Sequence, residues 1–89
     1  MNYRVEWSAK AQMAMLEIWA FLDTAKFVQV RRAIAEMERR LADRPSEEGE
    51  SRTDELRVAF EDSLGVLFTV NEDDRLVSVT TAWLCRQRE

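Results

Sequence analysis

Histidine is absent from the 89 residues, while cysteine, proline and glycine occur once, once and twice. Without histidine the chain lacks the commonest general base and the commonest metal ligand, and no spacing typical of a metal site occurs. We therefore expect no metal and no cofactor. The single cysteine, Cys85, cannot form an internal disulfide, which is typical of a protein kept in a reducing cytoplasm.

Long apolar segments are also missing. No run approaches the roughly 20 apolar residues that cross a membrane, and the amino terminus mixes charged and aromatic residues, unlike a signal peptide. These absences predict a cytoplasmic protein with no membrane partner. The length suits one domain, residues 1–89. The net charge of -4 argues against nonspecific binding of nucleic acid, which relies on a basic surface.

Three consecutive strands are predicted after an acidic linker, residues 45–52, whose glutamates are expected to be solvated. The strands are residues 55–60, 65–70 and 76–83, each rich in β-branched or aromatic residues. Alternation predicts which side chains share a face. The face that needs a cover is predicted to hold Leu56, Val58, Phe60, Val66, Phe68, Val70, Val77, Val79, Thr81 and Trp83. The opposite face, predicted to be open, holds Arg57, Ala59, Leu67, Thr69, Ser78 and Thr80.

A shorter strand and two helices precede these three strands. Residues 3–7 alternate between apolar and charged side chains, which predicts a first strand. Ser8 can cap a helix that runs from residue 9 to 21 or 22. Residues 23–24 interrupt the pattern before a second helix, which ends ahead of Pro45. The order β-α-α-β-β-β predicts an α+β fold in which a helical hairpin packs on one face of a mainly antiparallel sheet.

Arginine is the abundant basic residue, with eleven copies against two lysines. Arg57 is predicted on the open face, Arg52 just before the sheet and Arg86 just after the last strand. Together they could clamp an anion such as phosphate, because guanidinium groups bind phosphate through paired hydrogen bonds. The alternative is that they pair with nearby carboxylates on the surface, where such pairs contribute roughly 0 to 1 kcal/mol. Lys10 and Lys26 are predicted on the helices, away from the open face.

The first predicted helix carries more apolar side chains than one sheet face can cover. Trp19 is the candidate for an intersubunit contact on this helix. The contact would be made either in a homodimer or with a different protein. These two alternatives cannot be separated from the helical pattern.

The element order and several short segments resemble the RelE/ParE superfamily, the toxins and plasmid-stabilisation proteins of type II toxin-antitoxin modules. The resemblance begins with Tyr-Arg-Val-Glu-Trp-Ser at residues 3–8 and is most specific in residues 49–52, 56–58, 65–70 and 77–79. It implies the α+β fold given above and a cognate antitoxin as partner. It also implies a cellular target such as the ribosome or DNA gyrase.

The resemblance leaves three alternatives for the activity. RelE-like members cut messenger RNA in the ribosomal A site, and Arg57 and Arg86 match basic positions of that branch. Ala59 and Gly65 stand where basic residues are often found, so the catalytic set is incomplete and enzyme activity stays open. ParE-like members inhibit DNA gyrase by binding, and a non-toxic interaction module is the third alternative. The preferred hypothesis is a toxin that acts by binding an antitoxin and a cellular target.

Overall fold

A computed structural model describes residues 2–53 and 55–85. Within these residues two α-helices and one turn of 3-10 helix accompany five strands. In chain order the elements are β1 (Arg4–Trp7), α1 (Ala9–Ala20), α2 (Thr24–Asp43), the 3-10 turn (Pro45–Glu47), β2 (Glu50–Ser51), β3 (Leu56–Glu61), β4 (Leu64–Asn71) and β5 (Leu76–Leu84).

All five strands belong to one sheet with the order β1-β5-β4-β3-β2. β1 runs parallel to β5, and the other neighbouring strands are antiparallel. The sheet is therefore mainly antiparallel, as the sequence predicts. Because β1 pairs with the last strand, the amino-terminal strand lies at one edge of the sheet, beside an element from the far end of the sequence.

The predicted linker contains the short strand β2, so the expectation that residues 45–52 are all linker is wrong. Glu50 pairs with Val58 and Ser51 pairs with Arg57. Gly49 brings the chain into this position with a left-handed φ of 65°. A Cβ atom on Gly49 would lie 1.9 Å from the Val58 carbonyl oxygen, so a larger residue would prevent this close approach.

Both helices pack on the same face of the sheet, where their apolar stripes meet the strands. Ser8 caps α1 by accepting a hydrogen bond from the Ala11 N–H, and Asp23 caps α2 by accepting one from the Lys26 N–H. The shared core contains Ala11, Met15, Val30, Ala33, Met37, Leu41, Ala59, Leu64, Val66, Phe68, Val77, Val79 and Ala82. This arrangement confirms the predicted helical hairpin on one sheet face. None of the described helices is long and apolar enough to cross a membrane.

Strand β3 faces the opposite way from the prediction. Glu61 pairs with Leu64 across a two-residue turn, in which Asp62 has a φ of 56°. This register places Ala59 beside Val66, and directly paired residues point to the same side of a sheet. Ala59 is accordingly in the core shared with the helices, whereas Phe60 is 47% exposed. The turn sets the register, and a register change of one residue moves every side chain of a strand to the other face of the sheet.

An irregularity in β5 moves the side chains in the second half of that strand to the faces opposite to those predicted. Phe68 pairs with Val79 but its neighbour Leu67 pairs with Thr81, which leaves Thr80 without a partner. Such a bulge shifts the alternation by one residue. Ala82, rather than the predicted Thr81 and Trp83, therefore joins the core on the helical side. The carbonyl oxygen of Thr80 accepts a hydrogen bond from the Ser8 hydroxyl, which ties the bulge to the start of α1.

Candidate functional site

The sheet face opposite the helices, here called the open face, is uncharged at its centre. The observed register puts eleven residues of β3, β4 and β5 on it. They are Leu56, Val58, Phe60, Gly65, Leu67, Thr69, Asn71, Leu76, Ser78, Thr81 and Trp83. At the β1 edge, the Arg4 guanidinium pairs with the Glu6 carboxylate at 2.9 Å. The centre thus offers apolar contacts and hydroxyl groups.

Two aromatic rings form the most prominent part of the open face. Phe60 and Trp83 meet edge to face with their ring centroids 6.0 Å apart. The Trp83 ring lies over Gly65, where an added Cβ atom would be 2.6 Å from Cε2 of Trp83. Gly65 therefore makes room for the ring. An exposed aromatic pair held in a fixed geometry is typical of a protein-binding surface.

Arg57 lies on the helical side of the sheet, so its predicted position on the open face is wrong. It pairs with Phe68, which points into the core. Its Nε donates to the Glu48 carbonyl oxygen at 3.0 Å, and its Nη2 donates to the Gly49 carbonyl oxygen at 3.3 Å. These contacts hold the segment that leads into β2. The misplacement follows directly from the reversed alternation of β3.

The three-arginine clamp is not assembled on the open face. Arg52 follows β2 and is exposed, whereas the Arg57 guanidinium is bonded to carbonyl groups that precede β2. Arg86 lies outside the described residues. Anion binding by Arg52, Arg57 and Arg86 stays a prediction. Lys10 and Lys26 lie on α1 and α2, as expected.

The sequence pattern missed an ion-pair cluster centred on Arg40. The Arg40 guanidinium binds the Glu48 carboxylate at 2.5 Å and the Glu61 carboxylate at 2.6 Å, and its side chain is 23% exposed. The hydrogen bond to Glu48 and the nearby carboxylates raise the pKa of Arg40. Glu48 is therefore held in place and is not a solvated linker residue. Glu36 lies four residues before Arg40 on α2 but accepts hydrogen bonds from Arg39.

A second polar cluster joins β1, the 3-10 turn and the loop before β5. The Glu72 carboxylate accepts hydrogen bonds from the Ser46 and Tyr3 hydroxyls. These bonds lower the pKa of Glu72, and the bond to Glu72 raises the pKa of Tyr3. The Arg75 guanidinium also lies 5.6 Å from the centroid of the Tyr3 ring. The cluster joins Tyr3 to the 3-10 turn and to the loop before β5, and so fixes the start of the chain.

Trp19 lies partly buried between the two helices. Its ring centroid is 4.7 Å from that of Phe27. It also lines an apolar groove of about 310 Å³ together with Trp7, Gln12, Met15, Leu16, Ile34 and Glu38. The predicted excess of apolar surface is present on α1, because Met13 and Leu16 are 59% and 61% exposed. Whether Trp19 itself contacts another chain stays a prediction.

The described residues hold no group of three or more potential metal ligands. Within the described ranges, the carboxylates that the register puts on the open face lie at its two edges, at Glu6 on β1 and at Glu50 on β2, which pairs with Val58. RNA cleavage needs a group that removes a proton and a group that supplies one. The centre of the described open face provides hydroxyl groups and apolar surface for contact, and neither of those proton-transfer groups.

Comparison with known proteins gives matches among solved structures. No family model and no curated protein matches the sequence. A chain of the toxin-antitoxin complex RelBE2 from Mycobacterium tuberculosis is similar with a TM-score of 0.74 at 15% identity, covering 94% of this chain and 92% of that chain. A chain of the chromosomal ParDE toxin-antitoxin system from P. aeruginosa is similar with a TM-score of 0.72 at 14% identity, and the match covers 96% of this chain and 98% of that chain. The isolated E. coli RelE toxin is similar with a TM-score of 0.59 at 16% identity, and the match covers 98% of this chain and 88% of that chain.

Proposed function

We propose that this chain, which has the fold of the RelE and ParE toxins, is the toxin of a type II toxin-antitoxin pair. In this proposal it acts in the cytoplasm by binding an antitoxin and a cellular target. It does not cleave RNA. The fold is supported over nearly the whole chain by three solved structures, and the mode of action follows from the open face.

The uncharged centre of the open face is the observation that carries this proposal. Ribonucleases of this type remove a proton from a 2′-hydroxyl, stabilise charge on the phosphate and protonate the leaving oxygen. Among the described strand residues, Arg4 is the basic side chain that the register puts on this face, at its β1 edge, and it is paired with Glu6. Arginine stabilises phosphate charge but stays protonated near neutral pH, so it is a poor acid or base.

An antitoxin is the first partner that we propose. Two of the similar structures are toxin-antitoxin complexes, and this chain presents exposed aromatic surface for a comparable contact. Phe60 is 47% exposed and rests against Trp83. Aromatic residues at the centre of an interface contribute most when a partner removes them from water. We therefore place the antitoxin contact on the open face around these two rings.

The second partner is a protein target, with DNA gyrase and the ribosome as the two candidates. Gyrase inhibition needs binding alone and agrees with an open face whose centre, among the described residues, carries no charged acid or base group. The net charge of -4 also favours a protein surface over a phosphate backbone. Ribosome-dependent cleavage is the competing activity, and Arg57 and Arg86 are the residues that would then contact phosphate.

The test is inducible expression in a bacterial host with growth, translation and gyrase supercoiling as readouts. We expect growth arrest that is relieved by co-expressing the small protein encoded beside this gene. Phe60→Ser should weaken capture of that protein. Val28→Ser, a matched change at a residue of similar exposure on α2, should not.

Primer extension on messenger RNA separates the alternatives. The binding proposal predicts no new A-site ends. Robust A-site cleavage that disappears in Arg86→Ala or Arg57→Ala would instead establish the ribonuclease. Antitoxin capture without growth arrest would leave the non-toxic interaction module, and failure of both capture and arrest would overturn the proposed toxin role.

A further inference from the structure

The solvent side of α1 carries a continuous apolar seam made of Ala9, Met13, Leu16 and Ala20. These positions are four, three and four residues apart, which is the spacing of the contact positions in a coiled coil. The stripe that packs on the sheet is different and includes the buried residues Ala11 and Met15. Met13 and Leu16, at the middle of the seam, are both more than half exposed. The helix therefore has a second apolar stripe that its own fold leaves in water.

The charges beside this seam are self-complementary. Lys10 and Glu17 are the charged residues of α1, and they lie seven residues apart on the same edge of the seam. Both are exposed, and none of the ion pairs among the described residues involves either of them. When two such helices pack antiparallel, corresponding edges face each other. Lys10 of one helix then lies opposite Glu17 of the other.

We propose that this seam docks on the same seam of a second copy of the chain, with the two α1 helices antiparallel about a two-fold axis. Met13 of each copy packs against Leu16 of the partner subunit at the centre. Two symmetric ion pairs join Lys10 to Glu17 of the partner subunit and Glu17 to Lys10 of the partner subunit. A two-fold interface requires such reciprocal contacts. A parallel arrangement would bring neither charge opposite its complement.

The surroundings of the seam favour a second copy in two further ways. The charges of α1 sum to zero, so the protein's net charge of -4 is not concentrated where the copies meet. The other edge of the seam carries Gln12 and Trp19, which line the groove of about 310 Å³. In the antiparallel arrangement this groove faces Gln12 and Trp19 of the partner subunit.

The proposed interface is small, so the dimer should be weak and concentration-dependent. A helix of 12 residues is about 18 Å long, which is short for a stable interface of roughly 800 Å² on each partner. We expect a dissociation constant on the order of micromolar. The proposal concerns α1 and does not depend on the toxin function, which rests on the open face.

Sedimentation velocity over a concentration series tests the proposal. The wild-type chain should shift from monomer to dimer, and Leu16→Glu should remain monomeric. Lys10→Glu and Glu17→Lys should each weaken the dimer about tenfold, because each replaces two opposite-charge pairs by two like-charge pairs. The exposed change Lys26→Glu on α2 is the matched control and should leave the dimer unchanged. Circular dichroism checks that each variant stays folded.

Mixing the two single variants gives the most specific result. Lys10→Glu carries two acidic residues beside the seam and Glu17→Lys carries two basic ones, so an equimolar mixture should form heterodimers about as tightly as the wild type. The double variant with both changes should also recover the wild-type dissociation constant. A wild-type chain that stays monomeric throughout would overturn the proposal, and so would charge variants that behave like the wild type. Binding of the seam to a different protein by a monomeric chain would overturn it as well.

Discussion

The two faces of the sheet differ in how their apolar side chains are used. On the helical face, Val66, Phe68 and Val79 are fully buried under α1 and α2. On the open face, Phe60 remains half exposed although it is as large as Phe68 and lies one strand away. The helical face therefore stabilises the fold. On the open face Val58 is buried as well, but Phe60 keeps apolar surface that the described fold leaves in water, which is why we assign this face to partners.

The largest expected difference is in the free energy of unfolding of two alanine variants, one at Phe68 and one at Phe60. Phe68→Ala removes a completely buried ring and should lower the free energy of unfolding by about 3 to 5 kcal/mol. Phe60→Ala should cost about 1 kcal/mol or less, because its ring is half in water before unfolding. Urea denaturation of both variants measures the difference. Equal losses would mean that the two faces contribute alike, against the register described here.

The next effect concerns the Arg40 cluster, which ties α2 to the edge of the helical face. Arg40→Met keeps the aliphatic stem but leaves the Glu48 and Glu61 carboxylates unpaired. We expect a loss of about 1 to 2 kcal/mol, below the figure for a fully buried ion pair because Arg40 is 23% exposed. Arg39→Met, which removes an exposed pair with Glu36, should cost clearly less than Arg40→Met in the same urea experiment. A larger loss in Arg39→Met would contradict the cluster's role.

Ser8 should show an effect no larger than that of Arg40, and this effect reports on the bulge. Its hydroxyl accepts from the Ala11 N–H and donates to the Thr80 carbonyl oxygen, so it caps α1 and also fixes β5. Ser8→Ala should cost about 1 to 2 kcal/mol, and Asp23→Ala, which removes a cap alone, about 1 kcal/mol or less. Thermal melts compare the two variants. If Asp23→Ala proves the more harmful, the contact between Ser8 and Thr80 does not stabilise the sheet.

The smallest effect is a pH dependence at Glu72, in the loop between β4 and β5. The hydrogen bonds from Ser46 and Tyr3 lower the pKa of Glu72 in the folded protein below the ordinary value of 4.5. A lowered folded pKa favours folding above pH 4.5, and this contribution is lost as pH falls through the folded value. Glu72→Gln should therefore flatten the loss of stability below pH 4.5, while Asp73→Asn in the same turn serves as the control. Urea midpoints measured over a pH series from above the ordinary value of 4.5 to well below it give the slope. An unchanged slope in Glu72→Gln would contradict this assignment.

Most of the fold could be predicted from local pattern. The alternation of residues 3–7, the caps Ser8 and Asp23 and the proline at residue 45 give the elements and their order. Phe68 was correctly predicted to be buried, because it lies in the middle of a strand with apolar neighbours of the same parity. These features depend on residues close together in the sequence, which is why they can be read without the structure.

The candidate site was harder to predict because it depends on register. Arg57 and Trp83 each lie on the face of the sheet opposite to the one predicted. For Arg57 the cause is the two-residue turn at Asp62, and for Trp83 it is the unpaired Thr80. The turn moves the side chains of β3 to the opposite faces of the sheet, and the bulge does the same for the second half of β5. Neither feature has a distinctive residue pattern. Arg40 was missed for a related reason, since its partners Glu48 and Glu61 are 8 and 21 residues away. A rule that considers only charged residues four apart on one helix selects Glu36 as the partner of Arg40 instead.

The parallel pairing of β1 with β5 has a consequence for how the protein is made. Arg4 and its partner Leu76 are 72 residues apart, so β1 has no strand to pair with until β5 has left the ribosome. The helical hairpin can form earlier because its contacts are local. The sheet, with both the open face and the complete core, closes only after β5 has emerged. A nascent chain that has not yet exposed β5 therefore carries no finished binding surface, and a partner that recognises the folded sheet can act on it only after that point.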